Sequence, residues 1–457
     1  CLLTLQAGLI ALKSQPVLSR QVFQGLQDTF QVFVEEALSS ASPKLATQIA
    51  LISEALQTTV LHQHSPSSLE EIARCAQALL AMADALLARL PETVERNGPI
   101  AYWAHAFHQQ CQALSDEVEV FSHAGHGMGK LPTLMQLAAQ DAAAPAVSVA
   151  MARIVTIDLL LAYCRALSMM DFEFLYEPAR DLLSIGFDVG ERRRDPSCYD
   201  LLASEARLAS FLMIAEGQLP QKHWFALGRL LTSHGGKVSL ISWSGSMFEY
   251  LMPRLLMQDY DNTLLGQTCK TVVQRQIEYG RQRAVPWGIS ESGYNTTDTS
   301  QTYQYRAFGI PGLGFKRGLG DDLVIAPYAS ALALMVLPDE ACRNLQRLAQ
   351  AGFLGDYGFF EAIDYTPSRV PRGKNHAVVR SFMAHHQGMS LLAFNHVLHN
   401  KPMQRRFMSA PLVKATELLL QERVPKRGAT LHPHMAEVTA AAKPPAPDAS
   451  GIMRVFT

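Results

Sequence analysis

Two glutamates are set apart from the other acidic residues by what surrounds them. Glu291 lies in GISESGYN, residues 288–295, between two serines and two glycines and directly after Val-Pro-Trp. Glu205 lies in the segment Asp195 to Ser210, DPSCYDLLASEARLAS. Asp195 can cap a helix and Pro196 suits a first turn. The spacing then predicts a helix that puts Leu201 and Leu202 one turn before Glu205 and Leu208 and Ala209 one turn after it. A carboxylate in an apolar stripe either pairs with a base, such as Arg207, or retains a proton as its pKa rises. A raised pKa is what a general acid needs. One carboxyl group to protonate a leaving oxygen and a second to attack, or to activate water, is the equipment of glycoside cleavage. Each residue also has a plainer reading. A buried Glu205 fits a structural network with Arg207, and a glutamate in a Gly/Ser loop is more often solvated or a helix cap.

Side chains suited to holding a sugar are concentrated in the same stretch. Twelve of the 13 tyrosines and three of the four tryptophans fall between 151 and 365. Tyr199, Trp243, Tyr250, Trp287, Tyr294, Tyr305 and Tyr365 offer aromatic faces for pyranose rings. Asp200, Glu249, Gln304, Arg306, Glu361 and Asp364 offer partners for hydroxyl groups. Any one of these taken singly is more often structural. Glu361 and Asp364, in FFEAIDY, are the reserve carboxylates. Adjacent His385 and His386 diverge by about 100° on a helix and come with no H-E-x-x-H pattern, so they do not specify a metal. The glycines of GIPGLGFKRGLG lack the phosphate-loop pattern and read as backbone turns. Arg192 to Arg194, between Glu191 and Asp195, read as a solvated turn. No cofactor is called for.

At 457 residues the chain is long enough for two or three domains. Apolar residues make up 48% and charged residues 18%, which excludes disorder. A formal charge of −1 provides no footprint for nucleic acid or anionic lipid and points to a neutral substrate. Seven scattered cysteines without a C-x-x-C pair indicate neither a disulfide framework nor a zinc site, and fit a reducing compartment. The longest uncharged apolar run, 323–338, is short for a membrane span and contains two prolines, so no membrane insertion is expected. The chain opens on Cys1 and reads as a piece of a longer protein.

Helical periodicity dominates. The clearest case starts at Ser68-Leu-Glu-Glu71, a capping-box pattern, and carries Ile72, Cys75, Leu79, Leu80, Ala83, Leu86, Leu87 and Leu90 on one face until Pro91. Similar patterns predict helices at about 3–14, 20–39, 45–59, 99–122, 146–170, 198–216, 221–233, 246–257, 261–280, 328–350, 380–399 and 411–422. Alternating strands are scarce. The loop Asp141 to Pro145 marks a change in composition, dividing a helical support domain (1–145) from an aromatic-rich domain (146–437). A Pro/Ala-rich linker follows at 438–457.

The runs SCYDLLASEARLASF, HWFALGRLLT, SWSGSMFEYLMPRLLM, VPWGISESGYN, YQYRAFGIPGLGFKRGLGDDLVIAPYASALALMV, YGFFEAIDYTPSR, VRSFMAHHQGMSLLA and ATELLLQERVP closely resemble the glucoamylase-like central region of bacterial cyclic β-1,2-glucan synthases. The likeness covers about 150–425 nearly continuously. It implies an all-α fold, an (α/α)6 toroid preceded by an N-terminal helical domain. It also implies retaining transglycosylation that cyclises linear β-1,2-glucan, with Glu205 as acid/base and Glu291 as nucleophile. As partners it implies a glucan chain and the flanking glucosyltransferase and phosphorylase-like domains of one polypeptide, at the cytoplasmic side of the bacterial inner membrane. Cys198 stands where the family pattern has an aromatic residue, and Gly293 where it has alanine. A β-1,2-glucan hydrolase and a non-catalytic glucan-binding domain are the alternatives that sequence leaves open.

Overall fold

The computed structural model describes residues 2–18, 20–37, 43–61, 68–90, 98–122, 131–140, 145–202, 204–425, 428–434 and 438, with the backbone alone for 2–4, 7, 20, 21, 59–61, 204 and 205. Pro91 and all but the first residue of the expected linker 438–457 lie outside the described residues. The chain divides into two compact units, Cys1–Met169 and Met170–Thr457. The division therefore falls after residue 169, whereas composition alone placed it near residue 145.

The first unit is helical throughout its described part. Its elements are α1 (Leu2–Ser14), α2 (Arg20–Ala37), α3 (Pro43–Leu61), α4 (Leu69–Leu87), α5 (Pro99–Ser122), α6 (Leu134–Ala138) and α7 (Pro145–Ser168). Ser68 caps α4 by accepting the Glu71 N–H at 3.3 Å, an interaction worth about 1 kcal/mol in a typical helix. Leu69, Ile72, Ala76, Leu79, Ala83 and Leu86 form the buried stripe of α4, at helical spacing. They join Phe23, Phe30 and Phe33 of α2, Ile52 and Leu56 of α3, and Phe107 and Phe121 of α5 in one core. From α7, Ala146, Ala150, Ile157, Leu161 and Cys164 enter the same core, which is why this helix goes with the first unit. On its other side Met151, Val155, Leu159, Tyr163 and Leu167 are exposed at four-residue intervals. Among the described residues, one helical stretch, Pro145–Leu175, is long and apolar enough to cross a membrane by length and composition. A search for uncharged runs passes over it because Arg153, Asp158 and Arg165 interrupt it.

In the second unit the helices are α8 (Ser204–Ala215), α9 (Lys222–Ala226), α10 (Met247–Leu251), α11 (Leu264–Gln282), α12 (Pro327–Ala333), α13 (Pro338–Gln350), α14 (Ala384–Leu398), α15 (Pro402–Met408) and α16 (Pro411–Ala415). Every residue of α12 is buried, and it packs on α10, α13 and α14. Short strands lie between the helices. They are β1 (Tyr176–Glu177), β2 (Leu182–Leu183), β3 (Phe187–Asp188), β4 (Arg193–Arg194), β5 (Leu231–His234), β6 (Lys237–Leu240), β7 (Ser292–Thr297), β8 (Tyr303–Arg306), β9 (Val324–Ile325), β10 (Leu354–Gly355), β11 (Gly358–Phe359), β12 (Ala362–Asp364) and β13 (Ala377–Val379). They form five antiparallel two-stranded ribbons, and a three-stranded sheet ordered β13-β12-β9. The all-α class expected from sequence holds: the chain is mostly helical, with few and short strands.

Three helical expectations are corrected. The helix around Glu205 starts at Ser204, not near Asp195. Residues 195–199 instead run against 183–186, with the Asp195 N–H donating to the Gly186 carbonyl and the Tyr199 N–H to that of Leu183. Asp195 caps only a local turn, accepting the Ser197 N–H at 2.8 Å. The expected helix 221–233 stops at Ala226 and its end becomes β5, because Leu231 to His234 pair with β6. The expected helix 328–350 is two helices, since Pro338 lacks the N–H that would carry α12 onward and opens α13 instead. Arg193 and Arg194 are exposed, but they pair as β4 with Phe187 and Asp188.

Candidate active site

The small-residue loop before Glu291 is a buried strap. Every residue from Val285 to Ser290 is buried. Gln276 on α11 grips Ile289 twice, its Nε2 donating to the Ile289 carbonyl and its Oε1 accepting the Ile289 N–H, both at 2.8 Å. Asn344 on α13 accepts the Trp287 N–H and donates to the Trp287 carbonyl. The Gly288 carbonyl accepts the Ala326 N–H at 2.8 Å. Gly288 sits at φ +124°, and a Cβ there would stand 3.1 Å from the Ser330 Oγ and 3.2 Å from the Ala326 carbonyl oxygen. The glycine is thus required by both conformation and space. Tyr328 on α12 completes the anchorage: its hydroxyl lies 2.7 Å from Ser290 Oγ and donates to the Glu291 carbonyl at 2.9 Å. The strap delivers a half-buried Glu291 between two fully buried serines, at the mouth of β7.

Beyond Glu291 the β7–β8 ribbon pairs Gly293 with Tyr305. Directly opposed residues of an antiparallel pair project to one face, so Gly293 and Tyr305 share one. The Gly293 N–H donates to Glu361 Oε1 at 3.1 Å. An alanine Cβ at 293 would lie 3.3 Å from Glu361 Cγ and 3.4 Å from Val379, so glycine gives Glu361 its room. His386 on α14 faces Glu361 through Nδ1 at 3.0 Å and the Tyr305 hydroxyl through Nε2 at 3.3 Å. Its ring stacks on Tyr328 with centroids 3.7 Å apart and planes 13° from parallel. Burial pushes the Tyr328 phenol well above its ordinary pKa; Tyr305, Glu291 and Glu361 push the same way, against the Ser290 hydrogen bond. The structure thus gathers Glu291, Tyr305 and Glu361 around Tyr328 and His386. A cavity of about 410 Å³ adjoins this cluster, lined among others by Tyr328, Tyr357, Phe360, Glu361, His386 and Phe394. Ligand cavities commonly run from about 300 to 1,000 Å³.

Glu249, Tyr250 and Asp364 have their side-chain hydrogen-bonding capacity committed within the chain. The Glu249 carboxylate closes a capping box at the start of α10 and also accepts the hydroxyls of Ser242, Ser244 and Ser246. Tyr250 is fully buried, with its hydroxyl donating to the Leu313 carbonyl at 2.8 Å, lying 3.2 Å from the Leu240 carbonyl and accepting the Ser242 N–H. Trp287 is 6% exposed and packs against Gly280. Asp364 is fully buried against Arg369. Tyr250, Trp287 and Asp364 therefore serve the core, because each lies under elements that cover it. Tyr199 hydrogen-bonds the Ile185 carbonyl and packs on a small cluster with Leu183, Met213 and Leu219. Asp200 accepts the Leu202 N–H at 2.8 Å. Tyr365 is half-buried, and burial raises its phenol to about 12. Arg306 is exposed and pairs with Asp322 at 3.3 Å. Gln304 is half-buried on β8, Tyr294 lies under Arg369, and Trp243 is 67% exposed.

Glu205 is the second residue of α8, and its side chain lies outside the described residues. Leu201 and Leu202 are buried but precede the helix, so the apolar stripe expected one turn before Glu205 is not helical. The Arg207 guanidinium, 4% exposed, donates to the Tyr250 carbonyl at 3.2 Å. The loop GIPGLGFKRGLG packs its backbone on the chain at Ser244 and Gly245: a Cβ on Gly309 would come within 1.7 Å of the Ser244 carbonyl oxygen. Cys198 faces Arg180, whose Nη1 is 3.8 Å from its sulfur. Both ring nitrogens of His386 are engaged by protein groups, which sequence reasoning, treating the histidine pair only as a metal question, did not foresee. Tyr328 was likewise missed, since it looks like one more residue of an apolar run.

Residues 198–411 match the family model described as putative glucoamylase. That span contains Glu205, Glu291, Tyr305, Tyr328, Glu361 and His386. Cyclic beta-(1,2)-glucan synthase NdvB of Rhizobium meliloti (strain 1021) is 53% identical over 257 residues, 56% of this chain. The match spans 9% of that protein's length. Endo-beta-1,2-glucanase from Talaromyces funiculosus, solved with sophorose, aligns at 14% identity and a TM-score of 0.44, covering 79% of this chain and 84% of that one. A mutant of that glucanase, solved with beta-1,2-glucan, aligns at 13% identity and a TM-score of 0.42, covering 80% and 85%.

Proposed function

We propose that the second unit closes linear β-1,2-glucan into a ring by retaining transglycosylation, as one part of a larger cyclic β-1,2-glucan synthase. The 53% identity to a synthase of that name carries this reading. The glucosyltransferase and phosphorylase-like domains expected beside it, the membrane-anchored placement of the whole protein and an (α/α)6 arrangement of the helices belong to the same proposal.

Glu205 and Glu291 are the reacting carboxyl groups. The start of α8 at Ser204 removes the apolar helical stripe as a ground for making Glu205 the acid, and the likeness to the synthase is the ground that stands. On that ground we assign attack on the anomeric carbon to a Glu291 oxygen and proton donation to Glu205. In the first step the bond from Glu291 to C1 forms while the C1–O2 glycosidic bond breaks, and the departing oxygen takes the Glu205 proton. In the second step a 2-hydroxyl attacks C1, Glu205 takes the proton of that hydroxyl, and the bond to Glu291 breaks. Two displacements retain the β configuration. If the hydroxyl belongs to the far end of the same bound chain, a ring forms. A tethered end is present at high effective concentration and so competes well with water.

Product analysis tests this directly. Linear β-1,2-glucan incubated with the protein should lose reducing ends and gain products without them. New reducing ends would make the protein a hydrolase, and unchanged glucan would leave it a binding domain.

A further inference from the structure

Arg207 on α8 is a buried cation that forms no ion pair among the described residues. Its Nη2 donates to the Tyr250 carbonyl, while Nη1, equally buried, has no hydrogen-bond partner among the described residues. Burial lowers the pKa of Arg207, and Cys269, Asp259 and Asp200 pull the other way from a distance. A guanidinium keeps its proton inside a protein, so this charge has to be met where it stands.

A cavity of about 20 Å³ adjoins it, lined by Arg207, Arg254, Asp259 and Cys269 and, on its apolar side, by Met257 and Leu265. That is room for a single water molecule or monatomic ion, and too little for a carboxylate or phosphate group. Arg254, three residues past the end of α10, binds Asp259 through Nη1. Its Nε is a second buried N–H without a hydrogen-bond partner among the described residues. The cavity wall thus carries two guanidinium groups against one carboxylate. Cys269 on α11 does not supply the second negative charge. Burial, with Asp259, raises its thiol above the ordinary pKa in spite of both arginines, so the sulfur keeps its proton at neutral pH.

We propose that this cavity binds one chloride ion between the Arg207 Nη1 and Arg254 Nε N–H groups, tying α8 to the turn after α10 and to α11. A water molecule would satisfy the N–H groups but leave the charge unmet, whereas a monovalent anion accepts the hydrogen bonds and balances the wall. Chloride accepts from any direction, which suits donors supplied by two separate elements. Arg207 stands two residues after Glu205 on the same helix, so the ion braces the helix that presents this carboxyl group. That consequence alone rests on the proposed function.

Two measurements on the whole chain test the site. Crystals of the wild-type protein grown in sodium bromide, with data collected at the bromine absorption edge, should show an anomalous peak between the two guanidinium groups, and Arg207→Met should lack it. No peak there in the wild type overturns the proposal. A peak that persists in Arg207→Met marks an adventitious ion only and overturns it too. In solution, the unfolding midpoint followed by tryptophan fluorescence should be higher in sodium chloride than in sodium gluconate of equal ionic strength, by about 3 °C once chloride is about tenfold above its Kd. Arg207→Met removes the charge that calls for the anion, so the gain should vanish. A wild-type protein without the gain, or a variant that keeps it, refutes the site. Should Arg207→Met fail to fold, the bromide peak and the chloride titration of the wild type still decide. A wild-type protein that leaves β-1,2-glucan untouched in both salts refutes the proposed function, while the anion site stands or falls on the bromide map and the midpoints.

Discussion

Glutamine in place of Glu291 is expected to lower kcat on linear β-1,2-glucan by about 10³-fold or more while leaving the unfolding midpoint unchanged. The expectation follows from the strap. Glu291 is held through its backbone, by Tyr328 on its carbonyl and by the anchored residues before it, so a neutral isostere alters the chemistry without loosening the fold. A loss of 10³ corresponds to about 4 kcal/mol of transition-state stabilisation. Azide with an activated aryl β-glucoside then separates the two carboxyl roles. Glu205→Ala should yield the β-glycosyl azide, since azide intercepts the glycosyl-enzyme still formed on Glu291. Glu291→Ala should yield the α-glycosyl azide, from direct displacement. The opposite pair of products would exchange the roles, and wild-type turnover by either variant would remove that residue from the mechanism.

The second large effect concerns stability. Arg369→Met is expected to destabilise the second unit by about 3–5 kcal/mol, because it strands the buried Asp364 carboxylate and removes one of the two arginines at Asp322. Arg369 binds the fully buried Asp364 through Nε at 2.6 Å and Asp322 through Nη1 at 2.6 Å. Asp364 also accepts the N–H groups of Asn295 and Thr366, so this arginine ties β7 to β12 and to the segment before β9. Arg306 meets the same Asp322 from an exposed position, and Arg306→Met should cost at most about 1 kcal/mol. Urea titration followed by tryptophan fluorescence reports on this unit, since Trp224, Trp243 and Trp287 all lie within it. A loss below about 1 kcal/mol in Arg369→Met would show that the carboxylates find other partners. Asp364→Asn in the Arg369→Met background should recover part of the loss, because the stranded charge is then gone.

These two cases also mark how much the sequence discloses. The long helices of the first unit were legible because their apolar stripes repeat over four or more turns, as in α4 and α5. The ribbons were not, since strands of two to six residues are too short for alternation to stand out, and β7–β8 carries a bulge between Gly293 and Thr297. The start of α8 was misplaced because Asp195 and Pro196 form a valid local start signal that pairing with 183–186 overrides. Glu291 was legible as an unusual carboxylate among small residues. The roles of Glu361 and His386 were not, because they exist only where β12 and α14 bring together residues 25 positions apart. Asp364 looked like its neighbour Glu361 in FFEAIDY, and only burial separates a structural ion pair from a group beside the cavity.

Gln276, Asn344, Tyr328 and Ser330 reach the strap from α11, α13 and α12, so three helices jointly set where the reactive carboxylate stands. Fraying of any one of the three under heat is enough to displace it, so loss of activity is expected at or before the melting of the second unit, never after it.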